Sequence, residues 1–474
     1  MSAVNALRRG SIFRLGRESV GWCVYDFGAA VFPTSVVTVF FGPFITDIAE
    51  VAAGAEGMLH PFGIAVHPGA YYPYLISISV FLQICLLPLI GAIADFTRLK
   101  KPLLTVSMLG GGASVIAMLA VGASDYLLGG ALFLIGNICF GASDVLYNAF
   151  LPDVCRPEDR NRISSAGWGL GYLGGGILLV FQYVFFAGAG DMGIGEMDAT
   201  RIALASCGIM DATRIALASC GIWWLLFGGG ALMLLPSRRT QRRRPEGGLL
   251  LTAGFRELKG TLRSLGKYPH TLLFLVAFLL YSDGIQTVTS ISTQFGQQEV
   301  GLGMQDLAEI ILMVQFVGVL GAWLFERLAR RWGTKRSILC SLIVYILITL
   351  YAYGPLQSKA DFYIMATVTA LVLVGSQALS RAAFSRMIPP GHEAEYFGIY
   401  EISERGTSWL SPLFFGLALQ YTGSYRLAVL SLSAYFILGF VLLLRVKFAR
   451  AEEEAHSNDA ELDQLSIVPD GKAL

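Results

Sequence analysis

Apolar stretches of about twenty residues, the length a helix needs to cross a bilayer, recur along almost the whole of this 474-residue chain. Inside hydrocarbon every backbone N–H and C=O must be satisfied within the chain, which leaves only helices or a closed barrel. The runs are continuous rather than alternating, and this selects helices. Spans are expected near 20–47, 72–94, 102–122, 126–150, 163–187, 213–235, 270–294, 306–327, 336–354, 362–386, 395–419 and 425–446. The reading is an all-α membrane protein with about twelve transmembrane helices. Charged residues make up 15% against 54% hydrophobic ones, too few to cover a soluble chain of this length.

The connections alternate in charge. Arg8, Arg9, Arg14 and Arg17 precede the first span; Arg98, Lys100 and Lys101 follow the second; Arg156, Arg160 and Arg162 follow the fourth. Arg238, Arg239, Arg242, Arg243 and Arg244 follow the sixth, Arg330 to Arg336 the eighth, and Arg445, Lys447 and Arg450 the last. The stretches 49–70, 122–126, 295–306 and 420–425 hold no Lys or Arg. The positive-inside rule then puts both termini and every basic connection in the cytoplasm. The net charge of +1 says little about partners, because the charges are segregated. The lipid bilayer is an expected partner and nucleic acid is not. Seven scattered cysteines form no CxxC pair, so neither a disulfide framework, a metal site nor a cofactor is expected. Residues 1–18 lack an apolar stretch followed by a cleavage site, so no removable signal peptide is expected.

Two turns show a duplication. Gly91-Ala-Ile-Ala-Asp95-Phe-Thr-Arg98-Leu-Lys100-Lys101 is echoed by Ala329-Arg330-Arg331-Trp332-Gly333-Thr334-Lys335-Arg336. Gly141–Phe150 is likewise echoed by Gly375–Phe384, at nearly equal offsets of 235 and 234 residues. Equal offsets argue for two pseudo-symmetric six-helix halves. The expected division is 1–19 cytoplasmic N-terminus, 20–235 first half, 236–269 basic linker, 270–447 second half and 448–474 acidic, disordered tail. A second repeat differs in kind. Residues 197–209 and 210–222 both read MDATRIALASCGI. Identity over thirteen residues marks a recent duplication or a sequence artefact, and the first copy is expected to lengthen the sixth helix or lie on the outer interface.

These residues resemble the major facilitator superfamily, and within it the vacuole-effluxer-like branch of autophagy-related vacuolar amino-acid effluxers and their bacterial relatives. The resemblance rests on Tyr25-Asp26-Phe27-Gly28, Gly91 to Asp95, Tyr147 to Pro152, and Ser164-Ser165 with Gly167, Gly171 and Gly174. It continues through Asp283-Gly284 with Gln286-Thr287, Gln377 to Arg381, Phe397-Gly398 with Tyr400, and Ser411-Pro412. It departs from the superfamily pattern at Phe96, Arg98, Arg330 and Glu404-Arg405. It implies the major facilitator fold, with helices one, four, seven and ten lining a central cavity. It also implies a monomeric secondary transporter of an amino acid or similar metabolite, with alternating access.

A charge at the bilayer centre costs about 2.5–3.5 kcal/mol even on lenient scales, so intramembrane polar residues are the site candidates. Asn137, Asp144 and Asn148 form one stripe of helix four; Asp283, Gln286 and Thr287 share a face of helix seven; Gln377 and Arg381 share one of helix ten. Asp26 and Asp283 are the candidate proton or cation sites; packing residues satisfied by Tyr hydroxyls or backbone are the alternative. The five histidines lie in connections, the tail or a span edge, which leaves proton handling to the carboxylates. Arg381 suits a substrate carboxylate, or else an internal ion pair with Asp144 or Glu404. Glu401 and Arg405, one turn apart, are expected to neutralise each other, leaving Glu404 as a ligand candidate. Gly91, Asp95 and Arg98 are assigned to gating, with Asp95 pairing an Arg or the N-terminus of helix eleven. Gly169-Leu-Gly171-Tyr-Leu-Gly174 matches a dinucleotide fingerprint, but no strand precedes it, and its glycines are read as helix-contact residues. The stretch from Gly167 to Gly176 resembles the helix-five motif of superfamily antiporters and leans towards efflux.

No HExxH, paired His or Ser with a reachable His is present, so an enzyme is not expected. An exporter of drug- or lipid-like amphiphiles and a non-transporting sensor stay open. Compact loops and the lack of Asn-x-Ser/Thr acceptors favour a bacterial inner membrane over a vacuolar one.

Overall fold

The computed structural model describes residues 16–54, 57–96, 99–191, 199–236, 265–302, 304–390, 392–405, 422 and 424–455. Among them eleven helical stretches are long and apolar enough to cross a membrane. The expected span 395–419 is described only over Glu393–Arg405, and its remainder lies outside the described residues. So do most of the basic linker, from 237 to 264, and the tail from 456 onward.

The first span is interrupted for a local reason. Helix α1, Arg17–Ala29, gives way to a π-helical segment, Phe32–Phe40, before α2, Phe41–Ala53. Pro33 opens that segment and brings no N–H to the ladder. The bonds re-register to one residue wider, as in Phe41 N–H to Val36 C=O. Four longer helices follow: α3, Pro68–Phe96; α4, Lys100–Ala117; α5, Tyr126–Ala149; and α6, Arg160–Asp191. The sixth span is α7, Ala199–Leu234, one continuous helix that takes in residues 199–209 of the first tandem copy. The insertion thus lengthens the sixth helix, the first of the two alternatives.

The second half repeats the plan with α8, Pro269–Val300; α9, Met304–Trp332; α10, Thr334–Tyr353; and α11, Lys359–Arg386. The turn between α9 and α10 is a single residue, Gly333, at φ +85°. Only a residue without a Cβ sits there without strain. A capping box, Ser358 with Asp361, starts α11. Helix α12, Glu393–Arg405, precedes α13, Tyr425–Ser431, and α14, Ser433–Arg445.

Stacked aromatics fill both halves, with ring centroids 4.3 Å apart for Phe41–Phe133 and 4.2 Å for Phe278–Tyr400. Lipid tails are as apolar as these side chains, so close packing rather than water exclusion holds the helices together. The expected disordered tail begins otherwise. Residues 448–455 are helical; Ala451 and Ala455 are buried, Phe448 meets Phe274 edge-on at 5.8 Å, and Glu452 pairs with Arg386 at 3.2 Å. Packing against α8 and α11 supplies the stability that its acidic composition lacks.

The two halves meet through α3 with α12, and through α6 with α9 and α11. Glycine sets the first approach. Gly91 lies against the Ala394 carbonyl, and a Cβ at Gly398 would stand 2.9 Å from Pro88 Cα. Gly91→Val therefore cannot close this end without moving backbone. The expected result is a folded protein in which a cysteine placed at the buried Ser385 reacts faster with a hydrophilic maleimide. An unchanged labelling rate would show that the contact does not govern closure.

Candidate transport site

The centre of the interface is built around one cation. Arg381 lies on α11, yet its guanidinium is embedded in the other half. Its Nε donates to Ser164 Oγ (3.0 Å), one terminal nitrogen to Asn148 Oδ1 (3.1 Å) and the other to the Ser164 carbonyl (3.0 Å). The same nitrogen that meets the Ser164 carbonyl stands 3.6 Å from Asp26 Oδ2. The residue is 4% exposed. A guanidinium is always charged and rigidly forked, so burial at this level demands such partners. Aromatic rings complete the enclosure: Trp22 at 4.7 Å, Trp168 at 5.5 Å and Tyr147 at 5.6 Å from the guanidinium carbon.

The surrounding groups hold one another. Tyr147 donates its hydroxyl to Asp26 Oδ2 (3.0 Å), and Trp22 donates its indole N–H to the Tyr147 carbonyl (2.9 Å). The Trp22 and Tyr147 rings stack at 4.4 Å. Glycines on α6 make room for them. Gly167 faces Trp22, the Tyr147 hydroxyl and Asp26, Gly171 faces Asp26, and Gly174 rests against the Phe27 carbonyl. Of the fingerprint-like glycines, Gly171 and Gly174 serve contact between α6 and α1 and Gly169 faces Ala322 on α9, so all three are helix-contact residues, as that reading expects.

The candidate residues divide into groups. Asp26, Asn148 and Arg381 come together, and Asn148 also donates weakly to Asp144 and to Glu401, each at 3.4 Å. The Arg381 partner is a correction. Asp144 and Glu404 were the expected acids, but Asp26 is the carboxylate in ion-pair range. Asp144 is half-buried beside Asn148, and the Glu404 side chain lies outside the described residues. Asn137 leaves the expected stripe, donating to Ser79 Oγ at 2.7 Å within its own half. On α8, Asp283 is fully buried whereas Gln286 is exposed. Gln377 donates to Ser282 at 3.4 Å, and its Oε1 is buried without a partner. Trp22, Tyr147, Ser164 and Trp168 were not singled out by the sequence as ligand groups. The only available signal was the i, i+4 spacing of Trp22 and Asp26.

Asp95 forms a second cross-half link. It is 2% exposed and accepts the backbone N–H groups of Ala394 (3.0 Å) and Glu395 (2.7 Å) at the start of α12. Those are orphan donors of a helix N-terminus; a carboxylate from α3 caps α12 in trans. Of the two partners allowed for Asp95, the helix terminus is the one used. Arg160 donates to the Ser385 carbonyl (2.6 Å) and Asn161 to Thr334 (2.8 Å), closing the same end. Arg98 lies outside the described residues. Arg330, in the echo turn, pairs with Glu326 on its own helix.

Two helical halves are joined here by a buried charge bridge and a trans-capped helix, and the relatives and shared fold below make the chain a secondary transporter with the major facilitator fold. The chain belongs to the family described as "Vacuole effluxer Atg22 like", which it matches over residues 16–456. Among its relatives, an uncharacterized MFS-type transporter, YxiO of Bacillus subtilis, is 28% identical over 91% of this chain and 95% of its own length. Autophagy-related protein 22-1 of Aspergillus niger is 26% identical over 86% of this chain and 78% of its own. The fold is shared with the transporter FucP in its outward conformation (TM-score 0.66, 12% identity, 90% of this chain and 98% of FucP). It is also shared with the human organic anion transporter MFSD10 (TM-score 0.63, 17% identity, 90% and 99%).

Proposed function

We propose that the chain carries a small polar solute of the amino-acid class out of its compartment by alternating access about the Arg381 bridge. The single observation that carries the reading is that bridge: a cation of one half is buried on the other. The halves cannot part at the bridge without exposing it, so a solute that offers matching charges lowers the barrier to parting. An amino acid does so, with a carboxylate for Arg381 and an ammonium for Asp26. Asp26 and Asp283 are the carboxylates proposed to take up a coupling proton. The basic connections favour both termini in the cytoplasm, and a bacterial inner membrane is the preferred location, a vacuolar one the alternative. We take the working unit to be the monomer.

An amphiphile exporter is the second reading. A cavity of about 90 Å³ in the second half favours it, lined by Val288, Phe295, Val314, Phe362 and Leu373 among others. Its hydroxyls at Thr289, Ser292, Thr349 and Thr369 all donate to carbonyls of their own helices, which leaves an apolar interior. Proteoliposomes with an imposed pH gradient separate the readings. Gradient-driven amino-acid flux is expected, and it should fall by about ten-fold or more in Asp283→Asn if that carboxylate handles the proton. Flux of amphiphiles alone would transfer the function to the second reading.

A further inference from the structure

Among the described residues, every group that holds the Arg381 guanidinium belongs to the first half, whereas Arg381 belongs to the second. The rings of Trp22, Trp168 and Tyr147 face it at 4.7, 5.5 and 5.6 Å, and the Asp26 carboxylate stands 3.6 Å away. Three π faces and one carboxylate are the recognition set for an organic cation. We propose that these four residues form a cation cage, plugged by Arg381 in this state, in which the solute's ammonium or guanidinium group sits when Arg381 withdraws. The assignment rests on the alternating-access reading above and names the charged group that reading requires.

The cage does not depend on its plug for shape. Trp22 is tied to the Tyr147 carbonyl, Tyr147 to Asp26, and the two rings stack at an interplanar angle of 13°. All three residues sit on α1 and α5 and stay together when α11 moves. Trp168 follows on α6, where Gly167 keeps the wall open to α1. Removing the plug leaves Asp26 with the Tyr147 hydroxyl and no cation. An uncompensated carboxylate in such surroundings is strongly unfavourable, so the emptied cage demands a replacement charge. The withdrawn Arg381 meanwhile loses Asn148 and Ser164 as acceptors. A zwitterion restores both sets at once, its cation in the cage and its carboxylate on Arg381. Arg381 is then a tethered stand-in for the solute's own cation.

The test uses the full chain in nanodiscs, with methylguanidinium as the probe and tryptophan fluorescence and melting temperature as readouts. Arg381→Ala should bind the probe at least about ten-fold more tightly than the unmodified protein, whose cage is occupied. Adding Asp26→Asn or Trp22→Leu to that variant should abolish the gain. Equal binding with and without Arg381, or binding that survives Asp26→Asn, would overturn the cage. If Arg381→Ala does not fold, Asp95→Ala serves instead. It breaks the α3–α12 cap without touching Trp22, Asp26, Tyr147 or Trp168 and should raise probe affinity with Arg381 intact; no rise overturns the inference. Solute flux without probe binding would remove the cage and keep the transporter, whereas probe binding without flux of any solute would keep the cage and remove the transport reading.

Discussion

Arg381→Gln is expected to abolish solute flux and to destabilise the folded protein by about 1–3 kcal/mol, the cost of leaving a largely buried polar group without its partner. The stranded group is Asp26, which keeps only the Tyr147 hydroxyl. Adding Asp26→Asn removes the stranded charge, so the double variant should recover much of the stability that the single one lost. Unfolding measured in detergent for all four members of the cycle gives the coupling, and it should lie well outside additivity. Strictly additive losses would mean that the 3.6 Å approach carries no energy. Flux separates structure from site. If Arg381 only holds the halves together, the double variant transports again; if it meets the solute, the repaired protein folds but stays inactive. The second outcome is the one expected.

The second large effect concerns the closed end. Asp95→Ala leaves the N–H groups of Ala394 and Glu395 buried and unbonded, at about 1–3 kcal/mol per group. That penalty falls only on the state in which α3 and α12 touch, so the equilibrium shifts away from closure and flux should drop by about ten-fold or more. Arg330→Ala is expected to stay within about two-fold of the unmodified rate, because the half-exposed Arg330 pairs within its own helix and spans no contact between the halves. Arg330 bonds to Glu326 four residues away and not to the other half. Initial uptake rates in proteoliposomes decide the matter. Equal defects from the two substitutions would contradict a one-sided latch.

The spans were legible because their signal is local: a run of about twenty apolar residues has few other uses. The partner of Asp95 was legible because an acid in so short a turn has few partners. The partner of Arg381 was not. Spacing reveals which residues share a face of one helix, not which faces of different helices meet. Asp144 and Glu404 were the expected acids, and Asp26, which stands in ion-pair range, was not among them. Asn137 shares a stripe with Asn148, yet Ser79 on a neighbouring helix takes it up. Trp22, Trp168 and Tyr147 were hidden for another reason. An aromatic in an apolar run reads as packing until a cation is seen above its ring. Residues 448–455 carry Phe448, Ala451 and Ala455 on one side, but eight residues among acids are too few to announce a helix.

Helix α7 has one more consequence. Its 36 residues extend about 54 Å at 1.5 Å per residue, nearly twice the hydrocarbon thickness of a bilayer. A copied segment of thirteen residues adds about 20 Å and turns the chain by more than three and a half revolutions. Placed mid-helix, it would rotate every packed side chain off its neighbours. In the later copy Ala216, Leu217 and Cys220 are buried, and the first copy precedes them in the chain. The added length therefore falls on the far side of the residues that dock, and the contacts of the sixth span keep their register. Extra length at that end amounts to a mutation written in the margin, where a helix can grow by any number of residues without rotating the ones that dock.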